Sequence, residues 1–362
     1  MKTQRPNSQI RVLIVDDSAF MRTALSRMIG SDPDICVVGT ASSGSEALQR
    51  LPSLAPDVIT LDVQMPGLDG LQTLSRIMAE FPRPVIMVSS LTLKDAEATF
   101  NALTAGAFDY VPKQLSSASL DILHLQDDLI AKIKAAAESR HSPKALIAPR
   151  KPSRAVAIPI RETSISPPAV VAIGISTGGP KALQDILPIL PANLPVPILV
   201  VQHMPMGFTA PFAKRLNTLC SISVCEAVHG EAVVAGMVYL APAGFHLTVE
   251  RGSSRTAICL SHKPENQLHV PSADIMMQSV ASAFGPLAMG IIMTGMGSDG
   301  AQGMSAIHRE GGITIGQDEA SCTVYGMPRA CAELRILDRV VPLSQIPHEI
   351  LQATRCRKAS VG

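Results

Sequence analysis

Tryptophan is absent from this chain of 362 residues, and aromatic residues account for only 3% of it. Apolar residues nonetheless make up 46% of the sequence, so a large core has to be built from aliphatic side chains and methionine. Cores of that composition suit parallel β-sheets that are covered by helices on both faces. A chain of this length holds roughly two or three domains of ordinary size.

Neither sign of charge predominates, because the formal net charge is only +1. No strong field therefore attracts nucleic acid or an anionic membrane. No apolar run approaches the roughly 18 residues that a membrane-spanning helix needs. The polar segment Met1–Gln9 leads directly into a strand-like run and lacks the pattern of a signal peptide. We expect a cytoplasmic monomer that neither binds nucleic acid nor inserts into a membrane.

The cysteines show neither a metal-binding nor a disulfide pattern. Seven are present, an odd number, and none forms a C-x-x-C pair. Zinc-binding spacing is thereby absent, and no disulfide framework is indicated. Cys322 has no histidine beside it in the sequence, so we interpret it as a core residue and not as a catalytic thiol.

Short apolar runs alternate with helical periodicity through the first third of the chain. Five repeats of strand and helix predict a doubly wound parallel sheet of the α/β class. The predicted strands are Arg11–Val15, Ile35–Thr40, Val58–Leu61, Val85–Val88 and Asp109–Val111. A segment rich in Pro, Ser, Arg and Lys follows at Arg140–Pro168 and is predicted to be a linker.

The alternation of strand-like and helix-like segments resumes after Ala169 and predicts a second α/β domain. Its predicted strands are Val170–Ile175, Ile198–Gln202, Met289–Met293 and Ile313–Gly316. The stretch Val233–Leu268 instead shows period-two runs, Met237–Leu240 and His246–Glu250 among them, interrupted by glycine. Such runs predict a β-hairpin insertion.

Polar residues follow the strands of the first domain, where the carboxyl ends of parallel strands meet. They are Asp16, Asp17, Asp62, Ser89 and Lys113. Three carboxylates without Cys or His suit Mg²⁺, and an ion with a lysine can neutralise an incoming phosphoryl group. The serine hydroxyl can then donate to the phosphoryl oxygens. Each residue alone is more often a cap or a solvated side chain, but their joint placement favours phosphorylation of Asp62.

Four motifs in this domain resemble those of response-regulator receiver domains. They are Val12–Ser18, Asp62–Gly70, Val88-Ser89-Ser90 and Lys113. The resemblance covers about residues 9–130 and implies a flavodoxin-like fold that accepts a phosphoryl group from a histidine kinase on Asp62. It implies an Mg²⁺ ion held by Asp17, Asp62 and the Gln64 carbonyl, with Asp16 assisting. It also implies that Ser89, Lys113 and the aromatic residue Tyr110 take part in switching.

A second motif opens the other domain. Gly174-Ile175-Ser176-Thr177-Gly178-Gly179 follows a predicted strand, precedes a predicted helix and satisfies G-x-S-x-G. Small residues allow a sharp turn that exposes the Ser176 hydroxyl, and N–H groups at the helix start can stabilise an oxyanion. A nucleotide-binding turn or a purely structural turn stays open on this motif alone, although no P-loop lysine is present.

A nucleophilic serine needs a base and a carboxylate that orients the base. His203 directly follows the strand Ile198–Gln202, at the same sheet edge as Ser176. His246 is the next candidate for the base, but it lies in the predicted hairpin. Asp299 follows the strand Met289–Met293 within a glycine-rich loop, where a helix cap or a loop without chemistry is the alternative.

Further segments are similar to the catalytic domain of the chemotaxis protein-glutamate methylesterase family, CheB. They are His203-Met204-Pro205, Tyr239–Pro242, His246-Leu247, Thr294–Gly300 and Asp318–Pro328. The resemblance spans roughly residues 169–352. It implies a Ser176–His203–Asp299 triad, an oxyanion site at the N–H groups near Thr177 and Met296, and no cofactor in this domain.

The two resemblances together predict a receiver domain at 9–130, a linker at 131–168 and a Rossmann-like methylesterase domain with a hairpin insertion at 169–352. They imply a methylesterase and glutamine deamidase that acts on the cytoplasmic helices of chemoreceptors, with a receiver that shields the site until it is phosphorylated. A receiver joined to a DNA-binding domain is a second hypothesis, but the neutral, glycine-rich second half does not suit it. A scaffold that keeps the fold without catalysis is the third.

Overall fold

A computed structural model describes residues 9–90, 92–113, 119–141, 166–252, 255–265 and 267–355. The chain divides into two compact units, one up to residue 147 and one from residue 148. Within the described ranges, no helix combines the length and the apolar character that crossing a membrane would require. Most of the predicted linker, from 142 to 165, lies outside the described residues.

The first unit is a five-stranded parallel sheet with the order β2-β1-β3-β4-β5. Its strands β1 to β5 are Ile10–Val15, Ile35–Ala41, Val58–Asp62, Val85–Ser89 and Asp109–Pro112. Its helices α1 to α5 are Ala19–Ile29, Gly44–Leu54, Gly70–Glu80, Leu93–Thr104 and Ser119–His141. The predicted doubly wound α/β fold of this unit is confirmed, because every neighbouring pair of strands is parallel.

Local signals explain where these elements begin. Ser18, Ser43, Asp69 and Thr92 each accept a hydrogen bond from a backbone N–H in the first turn of the helix that follows. Such N-caps satisfy donors that the helix leaves unpaired. β3 and β4 are buried along their whole length, which is why they are mostly apolar, with Thr60, Asp62 and Ser89 as their polar residues.

The second unit has a seven-stranded sheet with the order β14-β13-β12-β6-β7-β9-β8, and all its pairs are parallel. Strands β6 to β9 are Val170–Ile175, Ile198–Gln202, Ser223–Glu226 and Met237–Leu240. Strands β10 to β14 are His246–Arg251, Thr256–Ser261, Ala288–Ile292, Ile313–Gln317 and Arg339–Val341. Helices α6 to α11 are Gly179–Ile186, Thr209–Leu219, Ala273–Phe284, Ala301–Arg309, Met327–Glu333 and Ile346–Arg355.

The hairpin insertion is present, but it is shorter than predicted. β10 and β11 form an antiparallel pair from His246 opposite Ser261 to Arg251 opposite Thr256. The run Met237–Leu240, which the sequence analysis assigned to the hairpin, is β9 of the main sheet, between β7 and β8. That part of the prediction is wrong, because three of its four side chains are buried and an apolar run does not reveal which strands flank it.

Several short elements escaped the sequence analysis. β8 and β14 are the two edge strands of the large sheet, with four and three residues, and α10 has seven. Periodicity cannot be read over so few positions, and their partners are distant in the chain. α11, with ten residues, was also not predicted.

The strand order decides where a site can form in the second unit. β6 lies between β7 and β12 in the sheet. The chain passes from β6 to β7 on one side and reaches β12, on the other side, only after the hairpin and α8. The carboxyl ends of these three neighbours therefore meet at a topological switch point, where open α/β sheets bind their ligands.

Candidate active site

The turn that follows β6 presents Ser176. Its N–H donates to the Thr294 carbonyl at 3.0 Å, and its carbonyl accepts from the Gly179 N–H at 2.8 Å as α6 begins. Gly178 has a φ of +75°, and a Cβ there would lie 2.3 Å from the hydroxyl oxygen of Thr323. A side chain at Gly178 would be strained and would clash, so the glycine of the motif is a steric requirement.

A histidine and a carboxylate meet at the same edge. The His203 N–H donates to the Ile175 carbonyl at 3.1 Å, which holds the end of β7 level with the serine turn. Nε2 of His203 lies 2.7 Å from Oδ2 of Asp299, and the two side chains are only 9% and 12% exposed. The other ring nitrogen, Nδ1, is buried without a hydrogen-bond partner among the described residues.

Asp299 is held by the N-terminus of α8. Its carboxylate accepts from the Ser272 hydroxyl at 2.7 Å, the Ala273 N–H at 2.6 Å and the Asp274 N–H at 3.1 Å. Burial alone would raise the pKa of Asp299, but the bonds from His203 and from the helix start outweigh it and hold the pKa below its usual range. A carboxylate fixed in the ionised form can orient a histidine and stabilise its protonated state.

His246, the alternative base, is committed elsewhere. It is fully buried, its Nδ1 accepts from the Ser272 N–H at 3.2 Å and its Nε2 faces the Pro264 carbonyl at 3.2 Å. A carbonyl can only accept, so the proton is on Nε2 and both nitrogens are used. Burial lowers the pKa of His246, which keeps it neutral. Its role in the structure is to brace Ser272, which in turn bonds Asp299.

Gln202 and Ser272 are the site residues that the sequence analysis did not single out. The Gln202 Nε2 donates to the carbonyls of Ser176 and His203, both at 3.0 Å, so one buried amide links the serine turn to the histidine turn. A polar residue at the end of an apolar strand was the available signal for Gln202. Ser272 had the signal of a helix N-cap, but its bond to Asp299 depends on the tertiary structure.

The two residues expected at an oxyanion site lie beside Ser176. Thr177 is the next residue and is buried, and its carbonyl accepts from the Thr294 hydroxyl at 2.9 Å. Met296 follows Gly295, where an added Cβ would come within 2.8 Å of the Ser176 Cβ. Among the described residues, no backbone carbonyl accepts from the N–H of Thr177 or of Met296.

Cys322 is unsuited to nucleophilic chemistry in this setting. Burial, with the nearby Asp318 carboxylate, raises the pKa of its thiol far above the usual range. The thiol therefore stays protonated at neutral pH, whereas the thiolate is the reactive form. The absence of a reactive thiol agrees with the sequence analysis, but Cys322 is only half-buried and lies outside the buried core, so its interpretation as a core residue is not borne out.

The first unit gathers its own charged cluster. One carboxylate oxygen each of Asp16, Asp17 and Asp62 lie within 4.8 Å of one another. The Lys113 ammonium contacts Asp16 at 2.9 Å and Asp62 at 2.6 Å. Burial raises the pKa of Asp62 to about 6, and Lys113 opposes that rise. Because all the donors are oxygens and none is Cys or His, the set fits a hard divalent cation such as Mg²⁺.

The other receiver residues occupy different positions around this cluster. The Gln64 N–H donates to Asp62 at 3.1 Å, which places its backbone next to the acidic group. The Ser89 hydroxyl accepts from the Thr99 hydroxyl at 2.8 Å and donates toward the Asp95 carbonyl at 3.4 Å, so its bonds are to α4. The Tyr110 side chain is buried and points away from solvent.

Comparison with known proteins identifies both halves. Residues 12–123 match the response regulator receiver domain family, and residues 171–350 match the CheB methylesterase family. A protein-glutamate methylesterase/protein-glutamine glutaminase of Nitratidesulfovibrio vulgaris is 46% identical over 94% of this chain and 98% of its own length. The chain belongs to the CheB methylesterase family. It is therefore an enzyme of the methylesterase and glutaminase class with a receiver domain.

Other CheB relatives agree in extent and in fold. A protein-glutamate methylesterase/protein-glutamine glutaminase of Pyrococcus abyssi is 46% identical over 95% of this chain and 94% of its own length. The crystal structure of the CheB methylesterase catalytic domain of Thermotoga maritima is 37% identical, with a TM-score of 0.50. The match covers 52% of this chain and 99% of the chain in that crystal structure. The predicted class of two parallel-sheet α/β domains is confirmed.

Proposed function

We propose that this CheB-family enzyme is a serine hydrolase that removes methyl groups from glutamyl γ-methyl esters of chemoreceptors and deamidates specific glutamines on them. The observation that carries the proposal is the 2.7 Å contact between His203 and Asp299 at the switch point that also presents Ser176. A serine, a histidine and an ionised carboxylate at one sheet edge are the groups that acyl transfer needs.

The geometry supports a two-step reaction. The Ser176 hydroxyl attacks the ester carbonyl while Nδ1 of His203 accepts its proton, since Nε2 is bonded to Asp299. The tetrahedral oxyanion is stabilised by the N–H groups of Thr177 and Met296. His203 then gives this proton to the departing ester oxygen, which leaves as methanol, or to the departing amide nitrogen of a glutamine, which leaves as ammonia. Water, activated by the same histidine, releases glutamate and restores Ser176.

Control of the reaction is assigned to Asp62 as the acceptor of a phosphoryl group from a chemotaxis histidine kinase. Asp17, Asp62 and the Gln64 carbonyl would hold Mg²⁺, with Asp16 assisting. The ion would neutralise charge on the phosphoryl group during transfer. Lys113 already contacts Asp62 and would pair with the phosphoryl oxygens. Ser89 would have to turn its O–H away from the carbonyls of Ser90 and Asp95 to donate to the phosphoryl oxygens, and Tyr110 would respond to that movement.

We assign the receiver to residues 9–130, the linker to 131–168 and the catalytic domain to 169–352. The unphosphorylated receiver shields the catalytic cleft, and phosphorylation shifts the equilibrium toward an open state. The substrates are the cytoplasmic helices of methyl-accepting chemoreceptors, and the enzyme works as a cytoplasmic monomer.

The test is methanol release from methylated chemoreceptor membranes, measured on the full chain with and without acetyl phosphate and Mg²⁺. Ser176→Ala should lower the rate by orders of magnitude under both conditions. Asp62→Ala should keep the basal rate and lose the stimulation. A Ser176→Ala variant that stays active contradicts the serine mechanism, and stimulation that survives Asp62→Ala contradicts the assigned phosphorylation site.

A further inference from the structure

A second histidine ring lies flat against the candidate base. The rings of His203 and His269 are stacked with their centroids 4.1 Å apart and an angle of 19° between their planes. His269 lies in the segment that leads into α8 and is partly exposed. The proposed reaction assigns His269 no chemical step.

The stack supplies a restraint that the hydrogen bond to Asp299 does not. A hydrogen bond at Nε2 fixes one corner of the His203 ring but leaves the ring free to rotate about that contact. Rotation would change the direction in which the buried Nδ1 points. A flat partner packed against one face opposes that rotation, because the turning ring would collide with the plane of its neighbour.

The segment that carries His269 is itself well anchored. The Val270 carbonyl accepts from the Gly244 N–H at 3.1 Å. Two residues further on, the Ser272 N–H donates to His246 at 3.2 Å and the Ser272 hydroxyl donates to Asp299 at 2.7 Å. One short stretch of chain therefore contacts the carboxylate of the candidate triad and the face of its base.

We propose that His269 is a positioning residue, which holds the plane of the His203 ring so that Nδ1 faces Ser176. This inference rests on the proposed function, since it assumes that His203 is the base for Ser176. It attributes the contribution of His269 to the flat shape of its ring and not to its charge or its protons.

The test compares three variants of the full chain. His269→Ala removes the stacked plane, and His269→Phe restores a plane without ionisable nitrogens. His262→Ala is the matched control, because it removes a histidine ring that packs against Phe245 and not against His203. The ring centroids of His262 and Phe245 are 4.1 Å apart. Methanol release from methylated chemoreceptor membranes gives kcat and KM for each variant.

We expect His269→Ala to lower kcat about 10- to 100-fold with KM little changed, as misplacement of a catalytic group does. His269→Phe should stay within about threefold of the parent enzyme, as should His262→Ala. A His269→Phe variant as impaired as His269→Ala would overturn the proposal, since the imidazole itself would then be needed. So would an effect of His269→Ala confined to KM, or no effect at all.

A spectroscopic measurement separates this proposal from the proposed function. The proton between His203 and Asp299 should give a far-downfield proton NMR resonance that is absent from His203→Gln. The resonance should persist in His269→Phe and broaden in His269→Ala, because a ring that turns about the Nε2 contact exposes its proton to exchange with water, whether or not Ser176 is the nucleophile. An unchanged resonance in His269→Ala overturns the positioning role. Full methanol release by Ser176→Ala overturns the proposed function instead.

Discussion

At the scale of single residues, hydrogen bonds from buried side chains determine the geometry of the candidate site. Gln202 is 1% exposed and joins the carbonyls of Ser176 and His203 through a single amide nitrogen. Asp299 receives four hydrogen bonds, and only one of them comes from His203. Each buried polar contact is costly to remove, because the partner left behind loses both its bond and water.

Replacement of Gln202 tests the link between the two turns. Gln202→Met keeps the size of the side chain but removes the donor that the two carbonyls share, which leaves the Ser176 carbonyl with the Gly179 N–H alone. The value of kcat should therefore fall about 10-fold or more. Gln202→Glu should be worse, because a buried carboxylate would face two carbonyl oxygens. The measurement is kcat and KM for methanol release.

The matched control is Gln184→Met, which removes a side-chain bond to Arg215 at 2.7 Å, outside the candidate triad. It should leave kcat unchanged. Equal losses in Gln184→Met and Gln202→Met would show that general destabilisation, and not the bridge, explains the effect.

Asp299 also makes stability depend on pH. Its pKa is lowered from 3.8 in the folded protein, so its contribution is fully present above that pH and is lost as the pH falls further. Asp299→Asn should therefore destabilise the protein by about 2–3 kcal/mol at pH 7, with a smaller difference below about pH 4. Urea unfolding of both proteins between pH 7 and pH 3.5 measures this. A difference that grows toward low pH would contradict the assignment.

At the scale of elements, α8 and α9 exchange capping groups. Asp299 precedes α9 and accepts from the start of α8, while Asp274 in α8 accepts from the Gly303 N–H of α9 at 2.8 Å. α9 begins after Gly300 without a side-chain cap of its own. Each helix thus satisfies donors of the other, which fixes the loop that carries Asp299.

Asp274→Ala removes one half of this exchange. The free energy of unfolding should fall by about 1–2 kcal/mol, and methanol release should fall with it because Asp299 loses its support. Asp274→Asn keeps a carbonyl acceptor, so it should retain more of the stability and more of the methanol release than Asp274→Ala. Ser43→Ala, which removes the N-cap of α2, is the control and should lower stability without lowering the basal rate. Unchanged activity in Asp274→Ala would show that α9 is held without it.

At the scale of the whole molecule, two separate cores serve two chemistries. Val12, Ile14 and Val58 are buried in the first unit, and Ala172, Leu199 and Ile292 are buried in the second. Each unit has its own parallel sheet and its own polar cluster at the carboxyl edge. Such units can fold independently.

Removal of residues 1–165 should therefore leave a folded catalytic domain. If the receiver shields the cleft, the truncated enzyme should release methanol faster than the unphosphorylated full chain. Its rate should not change when acetyl phosphate is added. The full chain carrying Asp62→Ala is the matched control and should stay at the low basal rate. A truncated enzyme that is folded by circular dichroism but no faster than the full chain would contradict shielding.

The sequence by itself determined the class of fold and the residues worth considering. Buried parallel strands must be apolar along their length, so β3, β4, β6 and β7 are visible as local runs. Polar residues that directly follow such runs must lie at one sheet edge. On this basis Asp62 is assigned to the carboxyl edge of the first sheet, and Ser176, His203 and, a few residues after its strand, Asp299 are assigned to that of the second.

Only the tertiary structure decided which of these residues meet. The order of strands placed β12 beside β6, assigned Met237–Leu240 to the main sheet and paired Asp299 with His203 while His246 bonds Ser272. It also brought His269 onto the base and Gln202 between the two turns. Periodicity is a local property of the chain, whereas hydrogen-bond partners and strand neighbours are set by segments tens of residues apart, so these contacts had no local signal.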